Sequence, residues 1–344
     1  MVMEVTSRSE ARAAVFDPAA LRAQFPALET RPGERPCAFL DNAATTQKPR
    51  VVLDALERAY VESYGAIGRG VYRWSAEATR EYDAARARVA RFLGGAADEV
   101  VFVRGTTEAI NLVAASWGRA NLGPGDEILV SGLEHHSNLV PWQLAAEATG
   151  ARLAVAPIDE RGEVDLGEVE RRLAAGRVRL VAVAHVSNAL GTVVPVTRIA
   201  ELARAAGARV LVDGAQSVPH LPLDVRALGC DFFAFSGHKV YGPSGIGALW
   251  ARRELLEAMP PWQGGGGMIQ EVTFERTTFA DPPQRFEAGT PAGPEARGLA
   301  AALDWLEGIG RGAVAAHEAG LLDLACRRLA EVPGLRFVGT ARRR

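Results

Sequence analysis

The 344-residue sequence predicts an α/β protein with a mostly parallel, seven-stranded sheet and helices on both faces. Two observations predict it. Seven short apolar runs rich in β-branched residues recur along the chain, at 100–103, 127–130, 152–156, 179–185, 209–212, 231–235 and 246–250. Helix-length stretches separate most of them, near 108–117, 140–149, 167–175 and 198–206, which suits crossovers better than hairpins. The length exceeds one small domain, so a large domain over 38–290 and a smaller α/β domain from 1–37 plus 291–344 are expected.

The remaining elements follow in order. Asp17 is placed to cap a short helix over 18–24. Ala38 to Leu40 reads as a short strand entering the loop Asp41-Asn42-Ala43-Ala44-Thr45-Thr46. Residues 50–64 and 77–93 read as helices, the second with Ala, Val and Phe on one face. The run 244–250 should lie close behind strand 231–235. The Gly- and Pro-rich stretch 260–294 lacks periodicity and reads as a functional loop or an interface. Helices resume over 295–307 and 312–331, and Leu335 to Val338 reads as a final strand.

A hydrophobic share of 48% supports a sizeable core, and a net charge of −2 gives no footprint for nucleic acid or an acidic membrane. No apolar run reaches membrane-spanning length and Met1 to Ala14 has no signal-like stretch, so a soluble cytoplasmic protein is expected. Cys37, Cys230 and Cys326 are too widely spaced for a disulfide framework or a zinc site.

Only two lysines, Lys48 and Lys239, stand among 39 basic residues. Arginine stays charged at any accessible pH, whereas a desolvated lysine can lose its proton, act as a base or bond to a carbonyl carbon. Lys48, beside Pro49, reads as a surface lysine. Lys239 follows an apolar run and sits in Ser236-Gly237-His238-Lys239, which points to chemistry.

Other polar residues gather where predicted strands end, the place at which open parallel sheets bind ligands. Gly105-Thr106-Thr107-Glu108 before a helix forms either a phosphate cradle or an ordinary cap. His135 or His136 offers a metal ligand or a ring to stack on a flat ligand. Ser187-Asn188 ends one strand. Asp213, with Gln216 close behind, ends another, as a helix cap or as a carboxylate seeking a cation. Phosphate site, stacking ring, Asn, carboxylate and lysine together match the parts of pyridoxal 5′-phosphate.

Seven stretches carry a resemblance across residues 20–338. They are Leu40–Pro49, Val103–Glu108, Glu134–Asn138, Ser187–Thr192, Val212–Gln216, Ser236–Pro243 and Arg285–Pro291. The sequence resembles fold-type I pyridoxal-phosphate enzymes of the class V aminotransferase group, most closely the SUF-type (group II) cysteine desulfurases and selenocysteine lyases. That resemblance implies that Lys239 joins covalently to the cofactor. It further implies that Asp213 pairs with the ring nitrogen and that His135 stacks on the ring with a catalytic role. Asn188 and Gln216 would lie near the phenolic oxygen and the substrate. Thr106, Thr107, Ser236 and His238 would hold the phosphate, with Thr290 reaching it from the second subunit of a homodimer. The implied reaction releases sulfur from L-cysteine, leaving alanine and passing sulfur to an acceptor protein for Fe–S cluster assembly.

The departures bear on substrate rather than cofactor. The family carries its sulfur-accepting Cys and a substrate-binding Arg beyond the position where this sequence ends, so C-terminal truncation, impaired desulfuration and an exposed apolar patch near Val338 are expected. Cys230, Cys326 and Cys37 all read as packed structural thiols. Ala66 and Gly68 stand where relatives often carry Asn and His, and Gly267 stands in place of a usual Glu. These leave open a related lyase or aminotransferase that needs no thiol, and an inactive product.

Overall fold

The computed structural model describes residues 16–29 and 38–344. Cys37 and most of the 1–37 segment assigned to the smaller domain lie outside the described residues. The central sheet comprises β1 (Val100–Val103), β2 (Glu127–Ser131), β3 (Arg152–Ala156), β4 (Val178–Ala184), β5 (Arg209–Asp213), β6 (Phe232–Ser236) and β7 (Gly247–Ala251). Their spatial order is β1-β7-β6-β5-β4-β2-β3. Every pairing is parallel except those of β7, which runs antiparallel between β1 and β6. The expected seven-stranded, mostly parallel sheet is what forms, and the run 244–250 lies close to the strand it follows, pairing with it directly.

Strand alternation divides the core into two layers. On one face Phe102, Val181, Val183, Val210, Val212, Phe233 and Phe235 pack together. On the other, Val101, Val103, Leu180, Ala182, Leu211, Phe232 and Ala234 do so. Burial on both faces explains why these strands read as continuous apolar runs. Helix Thr106–Val113 covers the second face, and helices Arg73–Leu93 and Val196–Ala205 cover the first.

One buried ion pair joins the first-face helix to the loop leading to Thr290. Arg86 reaches both carboxylate oxygens of Glu287, at 2.5 and 2.8 Å, and also the Val100 carbonyl at 2.8 Å. Glu287 additionally accepts the Tyr82 hydroxyl at 3.0 Å and the Phe102 N–H at 2.7 Å. Its carboxylate is therefore fully supplied with donors, the condition under which a buried charge is tolerated.

Three expectations are corrected. Residues 38–40 and 335–338 are not strands; a strand exists only with a ladder partner, and among the described residues neither segment has one. Cys326 is not core: its helix, Arg311–Ala330, leaves Leu322 and Leu329 exposed and Cys326 half-buried. The 260–294 stretch is not wholly loop, for it contains a hairpin of β8 (Ile269–Val272) and β9 (Thr277–Phe279) with Phe274 fully exposed at its turn. Val338 is exposed, as expected.

Candidate active site

Five segments bring their polar residues to one end of the sheet. Asp213 and Ser236 are the last residues of β5 and β6. Asn188 follows β4, His135 follows β2, and Thr106 and Thr107 open the helix after β1. A single turn over Gly237–Lys239 then presents His238 and Lys239. All eight of these residues and Gln216 line one cavity of about 510 Å³, with Asp41, Ala43 and Ala44 forming part of its wall. The location is the carboxyl end of a parallel sheet, where converging strand ends leave a crevice.

Close packing makes the anion-seeking corner. A Cβ on Gly247 would stand 2.4 Å from the Phe235 carbonyl oxygen and 2.7 Å from Gly105 Cα. Glycine at 247 therefore lets the Gly105 turn settle against β7. Ser236 Oγ then lies 2.8 Å from both the Thr106 nitrogen and the Thr106 hydroxyl. Free N–H groups at the start of this eight-residue helix, with hydroxyls of Thr106, Thr107 and Ser236 and the His238 ring, suit a phosphate.

Charge is arranged across the cavity. Burial raises the Asp213 carboxyl above the usual carboxylate range, opposed by the Ala215 N–H at 2.9 Å and by the Lys239 and His135 charges. A buried carboxyl left above its usual range has less cationic compensation than its ionised form requires. Burial also lowers the Lys239 amine below the ordinary lysine value, with Asp213 pulling the other way. The Ser137 N–H donates to His135 Nδ1 at 3.1 Å, so a neutral His135 carries its proton on Nε2. Gln216 is fixed by donating to the Ala43 carbonyl at 2.7 Å.

Thr290 is elsewhere. It is exposed and adjoins two other hollows, one with Tyr64 and Arg297 and one with Trp262 and Glu287. Gly68 and Gly267, at the departures from the family pattern, have φ of +71° and +92°, conformations that favour glycine.

Two residues escaped the sequence reading. Lys48 is half-buried rather than a surface lysine and donates to the His238 carbonyl at 3.2 Å. Its signal was the scarcity that singled out Lys239. Glu134 accepts hydrogen bonds from the Ser131 hydroxyl and from Asn138 Nδ2, the latter at 2.6 Å. Burial pushes its carboxyl up to about 7. Adjacency to His135 was visible in sequence, but burial was not.

The residues fit pyridoxal phosphate: a cradle for the phosphate, an imidazole at His135 that could stack on a flat ring, a buried carboxyl at Asp213 that could pair with a protonated ring nitrogen, and an amine at Lys239 for the aldehyde. Among the described residues no cluster of His, Cys, Asp and Glu is arranged to hold a metal, and no helix is long and apolar enough to cross a membrane.

Comparison with known proteins agrees with this chemistry. A probable cysteine desulfurase of Mycolicibacterium paratuberculosis is 54% identical over 328 residues, covering 95% of this chain and 48% of the relative. A cysteine desulfurase of Dickeya dadantii is 52% identical over 325 residues, covering 94% of this chain and 79% of the relative. The chain spans about half the length of the first curated relatives it matches. Among solved structures, the Escherichia coli cysteine desulfurase CsdA superposes with a TM-score of 0.85 at 43% identity, over 93% of this chain and 79% of that one. A C-DES variant with glycine covalently linked to its PLP cofactor superposes with a TM-score of 0.80 at 25% identity, over 93% and 84%. The fold is thus that of fold-type I pyridoxal-phosphate enzymes, and pyridoxal phosphate is the cofactor of the group. The aminotransferase class-V family model matches residues 38–344, and the chain belongs to that family.

Proposed function

We propose that this protein is a pyridoxal-phosphate-dependent cysteine desulfurase of the SUF type, converting L-cysteine to L-alanine with transfer of the sulfur. The observation that carries the reading is the single cavity holding Lys239, Asp213, His135 and the Ser236–Thr106 corner together. Bound there, the cofactor supplies an electron sink for charge developing at the substrate's α-carbon.

The protein's own groups do the rest. Thr106, Thr107, Ser236 and His238 hold the phosphate, while Asp213 orients the ring and keeps its nitrogen protonated. His135 covers the ring, with its Nε2 proton free to exchange because Nδ1 is occupied by the Ser137 N–H. Burial lowers the Lys239 amine below the ordinary lysine value, which eases release of its proton, as a general base requires. Asn188 and Gln216 stand where the phenolic oxygen and substrate would lie.

The wider reading is that residues 38–290 form the cofactor-binding domain, with 1–37 and 291–344 in the smaller one. Two copies pair so that Thr290, exposed in one protomer, reaches the partner's phosphate site. Sulfur then passes to an acceptor protein for Fe–S cluster assembly. A second reading, a class V lyase or aminotransferase needing no thiol, is favoured by one observation: Gly68 and Gly267 stand at the departures from the family pattern, in conformations that suit glycine. Supplying the loaded protein with L-cysteine and measuring alanine and sulfide decides between them. Alanine with stoichiometric sulfur supports the desulfurase. No alanine from cysteine, with turnover of selenocysteine or of another amino acid, supports the second reading.

A further inference from the structure

We infer that Lys48 is a positioning residue: its ammonium, together with Thr45 and Thr46, grips the His238 carbonyl and fixes the turn that delivers Lys239 to the cavity. The inference rests on the reading of Lys239 as the reacting amine.

Four donors converge on this one carbonyl oxygen. They are the Thr46 hydroxyl at 2.9 Å, the Thr46 N–H at 3.0 Å, Lys48 Nζ at 3.2 Å and the Thr45 hydroxyl at 3.3 Å. A carbonyl has two lone pairs, so the donors share it, and only Lys48 brings a charge-assisted bond. The same clamp holds the far side of Lys239, because the Thr46 hydroxyl accepts the Tyr241 N–H at 2.9 Å. Tyr241 has φ of +64°, a left-handed conformation that costs a non-glycine residue energy and persists only where its surroundings impose it. Ring packing of Tyr241 against Trp305 and Phe25 completes that restraint.

Lys48 also donates to the Thr46 carbonyl, so one ammonium bridges the 41–48 loop and the 237–239 turn. Burial lowers its amine to about 8, the expected cost of a desolvated ammonium. A compact tetrahedral ammonium donates to two carbonyls here, a geometry that a planar guanidinium fork is not shaped for, which suits lysine in a chain whose basic residues, Lys239 apart, are otherwise arginine. Lys48 does not line the cavity, so it acts through the turn.

The test uses Lys48→Met, Lys48→Gln and Lys48→Arg in the full chain. In cofactor-free protein, amide exchange at Tyr241 and Gly242 should quicken by about tenfold in Lys48→Met, the factor for losing one charge-assisted hydrogen bond. Amides of β4 and β5 should keep wild-type protection. In loaded protein, release of pyridoxal phosphate should quicken by a similar factor, and the visible circular dichroism of the bound cofactor should weaken. Lys48→Gln, which keeps a neutral donor, should fall between, and it carries the test if Lys48→Met does not fold. Lys48→Arg should rescue poorly. Unchanged exchange and release in Lys48→Met, or equal quickening in the turn and the central strands, overturns the proposal. A wild-type chain that takes up no cofactor would sink the functional reading instead, while the exchange measurement still decides the role of Lys48.

Discussion

Ser236 Oγ stands 2.8 Å from both the nitrogen and the hydroxyl of Thr106, so one serine ties the end of β6 to the first turn of the helix after β1. These residues are 130 positions apart in sequence. The tie sets the spacing between the helix N–H groups and the turn that carries His238 and Lys239. Ser236→Ala should therefore weaken pyridoxal-phosphate binding by roughly tenfold, the worth of one hydrogen bond to a charged group. Titration of cofactor absorbance against protein concentration checks it.

Arg86 and Glu287 form a buried pair whose side chains are only 5% and 9% exposed. Removing one member leaves an uncompensated charge among apolar neighbours. Arg86→Met should destabilise the fold by about 3–5 kcal/mol in urea unfolding. Glu287→Gln should cost less, because an amide oxygen still accepts from Arg86 and Phe102. The two substitutions should also increase exchange in the loop around Thr290.

Glu134 gives a pH dependence of defined sign. Burial raises its carboxyl from 4.5 to about 7, against the hydrogen bonds from Ser131 and Asn138. A carboxyl raised on folding stabilises fully below its unfolded value and gives up that contribution as pH climbs from 4.5 through about 7. Glu134→Gln, which does not titrate, should lessen the loss of stability between pH 5 and pH 8 by on the order of 2 kcal/mol. Urea unfolding of both proteins at the two pH values measures it.

Cys230 is wholly buried, and burial pushes its thiol up to about 12. The thiol form is a poor nucleophile. Folded protein should leave Cys230 unmodified by iodoacetamide, and Cys230→Ala should form alanine from cysteine at the wild-type rate. Cys326 is half-buried beside the Arg344 guanidinium and should alkylate faster than Cys230.

The sheet was legible because its strands are buried on both faces. Val181, Leu211 and Phe233 leave no polar alternation to confuse with a helix. Strand direction was less so: β7 follows β6 after a short connection and turns back, which an apolar run alone does not reveal. The hairpin of β8 and β9 hid in Gly- and Pro-rich sequence because it packs little apolar surface. The site was legible as residues at strand ends, since Asp213 and Ser236 close β5 and β6 directly. Lys48 and Glu134 were not, because their roles arise from burial and from partners such as His238, 190 residues away from Lys48.

The central claim is that Lys239 carries the cofactor, and the chain offers only one other lysine to confuse the result. The direct measurement is to load the protein with pyridoxal phosphate, trap the bound cofactor with borohydride and map the modified peptide by mass spectrometry. The account predicts the phosphopyridoxyl group on Lys239, and no visible band or trapped cofactor in Lys239→Ala. Label on Lys48, or an unaltered band in Lys239→Ala, would contradict it.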